Sequence, residues 1–371
     1  MVRILNVASV FLLLVIIFIP FPASHLSFNT FFTQFVFQDL VIAFANVLNI
    51  EIISLNFDSD SVALAILLLF LICISSLVLF FKKTNDKIYA FTRMISCYYL
   101  IFVLLSYGLN KVFLEQFPMP EANILYSNFG VLQKDILYWS ILALAPVYTF
   151  LIGFAECSIA FLLFFRKTRL FGLFLSVISL SYIFIINISF DISVKIFSFL
   201  LILITIYQLY FYKARIKKLT ILIFSKTLKQ PNSLRLAVKT FVLFLFISIL
   251  TVPYLLNDQS DKDFSEAYYL EGSSCVNSSK AFNIKRLFIL KQGYVVFENT
   301  NEQMIDYKII RFDNFLSLEK QQNITTFVIK NKDENSLILE HAGCIYVFKI
   351  LPVDELPVFT HKNHLFIDYV H

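Results

Sequence analysis

The side chains most capable of chemistry are ionisable groups set inside apolar runs. Glu156 stands ten positions before Arg166. At about 1.5 Å per helical residue, that puts it roughly 15 Å inside the nearer boundary of an apolar helix. Thr149, Gly153 and Ala160 share its face. Arg93, Cys97, Leu100, Leu104, Tyr107 and Lys111 follow a 4-3-4-3-4 spacing, so they also share one face. Asn187, Asp191 and Lys195 run at i, i+4 and i+8. An ionisable group at the centre of a membrane helix costs about 3 kcal/mol on insertion scales, so each one needs a partner or a task. Depth pairs Arg93 with Glu156 toward one end, and Lys111 with Asp191 and Lys195 at the other rim. Each cluster has two readings. The inner pair fixes helix register, or the Glu156 carboxyl handles protons beside a ligand. The rim snorkels and caps helix ends, or binds a ligand through Tyr107, Lys111, Asn187, Asp191 and Lys195.

Several other chemistries lack their residues. All five histidines (25, 341, 361, 364 and 371) lie outside the apolar runs, so no pair of intramembrane imidazoles is available to haem. His361, His364 and His371 read as a mobile tail rather than a weak metal site, and no metal centre is expected. There is no CxxC pair, no Walker A loop, no GxSxG and no HExxH. The net charge of +5 sits in short loops between apolar runs, a pattern that orients helices and does not bind nucleic acid.

The elements that hold these residues follow from composition. Of the 371 residues, 58% are hydrophobic and only 15% charged, against about 25% charged in soluble domains. Runs near 5–22, 61–81, 89–110, 137–165, 170–189, 195–212 and 237–256 approach the roughly 20 apolar residues that a crossing needs. Basic clusters at Lys82, Lys83 and Lys87, at Arg166, Lys167 and Arg169, and from Lys213 to Arg235 predict three cytoplasmic loops. Asp58, Asp60, Glu115, Glu121 and Asp191 then face outward. Pro146 predicts a kink within the fourth run, and Gly172, Ser176 and Ser179 a close-packing stripe on the fifth.

Residues 1–60 read as a signal anchor, or a cleaved signal peptide ending near Ala23, followed by an interfacial or re-entrant helix over 28–48. Residues 61–256 form the bundle. Residues 257–371 change character: short Val-, Ile-, Phe- and Tyr-rich segments at Arg286–Lys291, Tyr294–Glu298, Ile305–Phe312, Thr325–Lys330, Leu337–His341 and Ile345–Ile350 predict a small antiparallel β domain. About seven crossings would place it outside the cytoplasm, where Cys275 and Cys344 are free to pair or to stay reduced. Cys97 and Cys157 read as small apolar fillers.

The stretch from Arg93 to about Arg215 resembles the DoxX-like membrane protein family in its longer, Bacteroidetes-type form. The residues that carry the resemblance are Arg93, the run Tyr107-Gly108-Leu109-Asn110-Lys111, Gln116-Phe117-Pro118, Trp139, Tyr148-Thr149, Gly153, Glu156, Arg166-Lys167-Thr168, Asn187, Asp191 and Val194-Lys195. Ser193 stands where that pattern has proline, and Ser140-Ile141-Leu142 departs from it. The resemblance implies a four-helix core over 89–212 with the remaining helices packed around it. It also implies, for some relatives, service to a thiosulfate-oxidising system that delivers electrons to quinone.

The expectation is therefore an all-α membrane bundle with a small β domain, held in a bacterial inner membrane. Its preferred role is accessory or structural, with the lipid bilayer and a periplasmic or membrane protein as partners. The alternatives are a quinone-linked oxidoreductase subunit, with quinone as cofactor, and a small-molecule transporter.

Overall fold

The computed structural model describes residues 2–21, 28–50, 52, 55–77, 86–219, 242, 266–275, 282–290, 292–321, 323–333 and 335–360. The run 237–256 (Val242 apart), His25 and the three tail histidines lie outside the described residues. The chain forms two compact units. One comprises residues 1–118 and 145–257; the other joins residues 119–144 to residues 258–371.

The helices are α1 (Val2–Phe18), α2 (Phe28–Val47), α3 (Val62–Ser76), α4 (Asp86–Val112), the single turn α5 (Ala122–Leu125), α6 (Lys134–Leu144), α7 (Pro146–Phe164), α8 (Arg169–Ser189), α9 (Lys195–Tyr210) and α10 (Lys213–Leu219). Among the described residues, four stretches are long and apolar enough to cross a membrane: Thr30–Val47, Lys87–Val112, Pro146–Phe164 and Arg169–Ser189. The apolar helices α1, α3 and α9 are shorter. In the first unit α4 packs along α7, α8 along α9, and α1 against both α3 and α4. Their outward faces stay apolar, with Phe150, Phe154 and Phe161 of α7 and Ile178 and Ile185 of α8 exposed. That is the surface a helix presents when its solvent is lipid.

Residues 28–47 form one unbroken helix, as an interfacial helix would. One expectation is corrected. The run 137–165 is two helices, not one kinked helix. Proline lacks an amide donor and disfavours helical backbone in the residue before it. Ala145 accordingly takes φ −116°, ψ 64°, and Pro146 opens α7 at its first turn. Everything before that break, back to residue 119, belongs to the second unit.

The second unit is built on eight antiparallel strands: β1 (Glu266–Cys275), β2 (Arg286–Leu290), β3 (Tyr294–Glu298), β4 (Met304–Phe312), β5 (Phe315–Lys320), β6 (Asn323–Lys332), β7 (Ser336–His341) and β8 (Cys344–Ile350). They pair in chain order and close into a barrel through β1 and β8. The predicted segments supply six of the strands; β1 and β5 lie outside them. Inward-facing Tyr268, Leu287, Phe297, Phe327, Tyr346 and Phe348 fill the interior as one core. Among the described residues these side chains pack the lumen and leave no channel.

Candidate functional site

Glycine brings the deepest acid to its partner. A Cβ added to Gly108 of α4 would lie 2.9 Å from the carbonyl oxygen of Gly153. One added to Gly153 of α7 would lie 2.6 Å from the carbonyl oxygen of Gly108 and 2.7 Å from Lys111 Cβ. Only residues without side chains let the two backbones approach so closely. One helical turn on, Lys111 Nζ donates to Glu156 Oε1 at 3.0 Å and Oε2 at 2.8 Å. The carboxylate is buried, with 2% of its side chain exposed. Tyr107 lies one turn earlier on α4, its ring 5.5 Å from the ammonium. The Phe21 ring packs against Tyr107 at 5.4 Å.

The expected pairing of Arg93 with Glu156 is thus corrected. Gly108 marks the level on α4 that faces Glu156, and Arg93 lies fifteen residues, or roughly 22 Å, back along the helix. Arg93 instead sits over the rings of Phe211 and Tyr212, at 5.1 and 5.0 Å. Its backbone carbonyl accepts a hydrogen bond from Gln208 Nε2 at 2.7 Å, and the same amide donates to Ser96.

The outer cluster is also redrawn, without Lys111. Lys195 Nζ donates to Asp191 Oδ1 at 2.7 Å and lies 3.8 Å from Asp60. The Asp60 carboxylate accepts the backbone N–H groups of Lys195 and Ile196 at 2.8 and 2.9 Å. It therefore caps α9 from the distant loop before α3, satisfying donors that a helix start leaves unpaired. Asn187 is buried on α8 and donates to Ser198 Oγ at 3.1 Å, joining α8 to α9. The sequence marks Asp60 only as an outward acid, although its position just before an apolar helix is a capping signal. These contacts tie helix ends together, which is chemistry of assembly.

In the second unit, the segment before α6 docks on the barrel's outer wall. Ala122, Leu125 and Tyr126 pack against Ala267, Phe288, Leu290 and Val296. Arg286 Nη1 donates to the Tyr126 carbonyl at 2.7 Å and lies 3.4 Å from the buried Glu298. Asn128 donates to Glu302 at 2.5 Å. Sequence reasoning missed this seam, although a signal was present. In Leu287-Phe288-Ile289-Leu290 every residue is apolar, so β2 must bury both faces, unlike a one-sided strand. Burial raises the Glu121 carboxyl at the start of this segment and the Tyr126 hydroxyl, the latter opposed by the Arg286 charge.

Cys275 and Cys344 stand opposite one another where β1 meets β8, joined by a disulfide at a Cα–Cα distance of 4.0 Å. The bond staples the strands that close the barrel. At the other end of the β1–β8 pairing, burial pushes the Tyr268 hydroxyl well above its usual range, and its hydrogen bond to Glu266 adds to the shift. Among the described residues no group of three or more His, Cys, Asp or Glu side chains converges as a metal site. Cys97 is buried and Cys157 half-buried, the latter against Gly108. Comparison of the chain with protein-family models, characterised proteins and solved structures finds no match.

Proposed function

We propose that this chain is an accessory component of a bacterial inner membrane, whose polytopic bundle anchors a β-barrel that binds a protein partner outside the cytoplasm. One observation carries the reading. Outward-facing Phe315, Val328 and Ile345 lie in one row across β5, β6 and β8, with Glu340 of β7 between them, and Ile338 pairs with Val347 alongside. Phe315 and Ile345 are exposed, as is Ile324 at 65%. A filled barrel has no lumen in which to hold a ligand. Apolar residues on its outer wall are therefore best used against another protein, where aromatic and aliphatic anchors supply most of the binding energy.

The remaining features of this reading rest on sequence pattern. Seven crossings, with a DoxX-like four-helix core over 89–212, accord with the apolar runs, and the basic loops orient the barrel outward. The bidentate bond from Lys111 to Glu156 supports a role for that carboxylate in helix register rather than in proton handling. The test is copurification of the full-length protein from native membranes after mild crosslinking. Phe315→Lys with Ile345→Lys should lose a partner that wild type and an Asp306→Lys control both retain. Identical partners in all three would refute the proposal.

A further inference from the structure

Four arginines from three separate stretches converge on one cavity at the basic end of the bundle. Arg93 comes from the early turns of α4, Arg166 and Arg169 from the α7–α8 turn, and Arg215 from α10. The cavity measures about 610 Å³, within the range of small-molecule sites. None of its described lining residues is acidic, and among the described residues none of these arginines joins an ion pair. Arginines that merely snorkel turn outward separately toward water. Here Arg93 is half-buried and stacked on Phe211 and Tyr212, and Arg215 lies 5.6 Å over the same Tyr212 ring. Arg169 donates through Nε to Leu163 O at 2.7 Å and through Nη2 to Phe164 O at 3.2 Å. It thereby spends two of five donors on the end of α7 while its charge remains at the cavity.

Arg93, Arg169 and Arg215 are held by these contacts before any ligand arrives, and the mutual repulsion of the four is uncompensated within the described residues. A guanidinium offers planar, paired donors that match phosphate oxygens. We propose that this cavity binds a phosphate-bearing anion. Two sources share that chemistry: the headgroup of an anionic membrane lipid, and a free phosphate ion or monoester. The apolar walls beside the arginines, among them Met94 and Tyr98, suit a site at the depth where headgroup meets chain.

The test uses the full-length protein in lipid nanodiscs mixed from phosphatidylglycerol and phosphatidylcholine, with native mass spectrometry of retained lipid. A second arm measures the melting temperature in zwitterionic detergent against inorganic phosphate. Arg166→Gln with Arg215→Gln removes two exposed cavity charges and leaves Arg93 and the Arg169 cap intact. Lys167→Gln with Lys213→Gln removes the same charge from the same end outside the cavity. Retention of phosphatidylglycerol that falls about tenfold in the arginine variant, and holds in the lysine variant, establishes a lipid headgroup. Stabilisation by phosphate alone, abolished by the arginine changes only, establishes the free ion. No selective binding in either arm, or equal loss in both variants, overturns the proposal.

Discussion

Lys111 reaches Glu156 because two glycines stand between their backbones. Gly108 and Gly153 bring α4 against α7, and the ammonium meets both carboxylate oxygens within 3.0 Å. Neither residue has that partner in its own helix. The pair exists only once the helices are packed, so it reports the assembled bundle.

Breaking this pair should be costly and replacing it should not. Removing one member of a buried ion pair strands a charge, typically at about 3–5 kcal/mol, whereas exchanging both for apolar residues is often neutral. Glu156→Gln or Lys111→Met should each lower the thermal midpoint of the detergent-solubilised protein strongly. The double change Lys111→Met with Glu156→Leu should restore most of it. Additive losses in the double variant would show that the two side chains act independently.

Arg286 should hold residues 119–131 on the barrel. It donates to Tyr126 O and lies beside Glu298, which has no other close cation except Lys285 at 3.6 Å among the described residues. Arg286→Ala leaves Glu298 buried and half-compensated, a loss of about 1–3 kcal/mol. Hydrogen exchange followed by mass spectrometry should show faster exchange in residues 122–131, with β5–β8 unchanged. Unaltered protection at 122–131 would mean that the apolar contacts of Leu125 and Tyr126 suffice alone.

Much of this was legible in the sequence, and the failures have physical causes. Alternation in β4 and β7 marks strands with one wet face, and the basic turn at Arg166–Arg169 does separate α7 from α8. Depth counting placed Glu156 well inside its helix but chose the wrong cation. It took 137–165 as one span, which put Glu156 toward the Arg93 end. But α7 begins only at Pro146, so Glu156 lies midway along it and Lys111 in the last turn of α4 reaches it. Strand β1 escaped notice because Gly272, Ser273 and Ser274 carry no apolar signal; pairing with β8 makes it a strand. Pro146 marks the break at Ala145, but inside a long apolar run a proline reads as a kink. The continuous hydrophobicity on both sides masked a helix start.

The barrel should fail at alkaline pH, through Tyr268. Folding raises the hydroxyl's pKa above its unfolded value near 10, so the fold favours the protonated form. The stability this contributes is complete below about pH 10 and is lost as pH rises through the folded value. Near-ultraviolet circular dichroism should hold steady at neutral pH and collapse in strong alkali. Tyr268→Phe, which cannot ionise, should move that midpoint upward; an unchanged midpoint would assign the transition to another group.

If the bundle's deep polar residues serve assembly rather than redox chemistry, the protein holds no quinone of its own. Lipophilic molecules retained by the protein in native lipid particles would be identified by mass spectrometry, for wild type and for the Lys111→Met, Glu156→Leu double variant. Quinone at the level of the surrounding lipid in both samples is the predicted result. A quinone retained stoichiometrically by wild type and lost from the folded double variant would contradict the account and make Glu156 part of a ligand site.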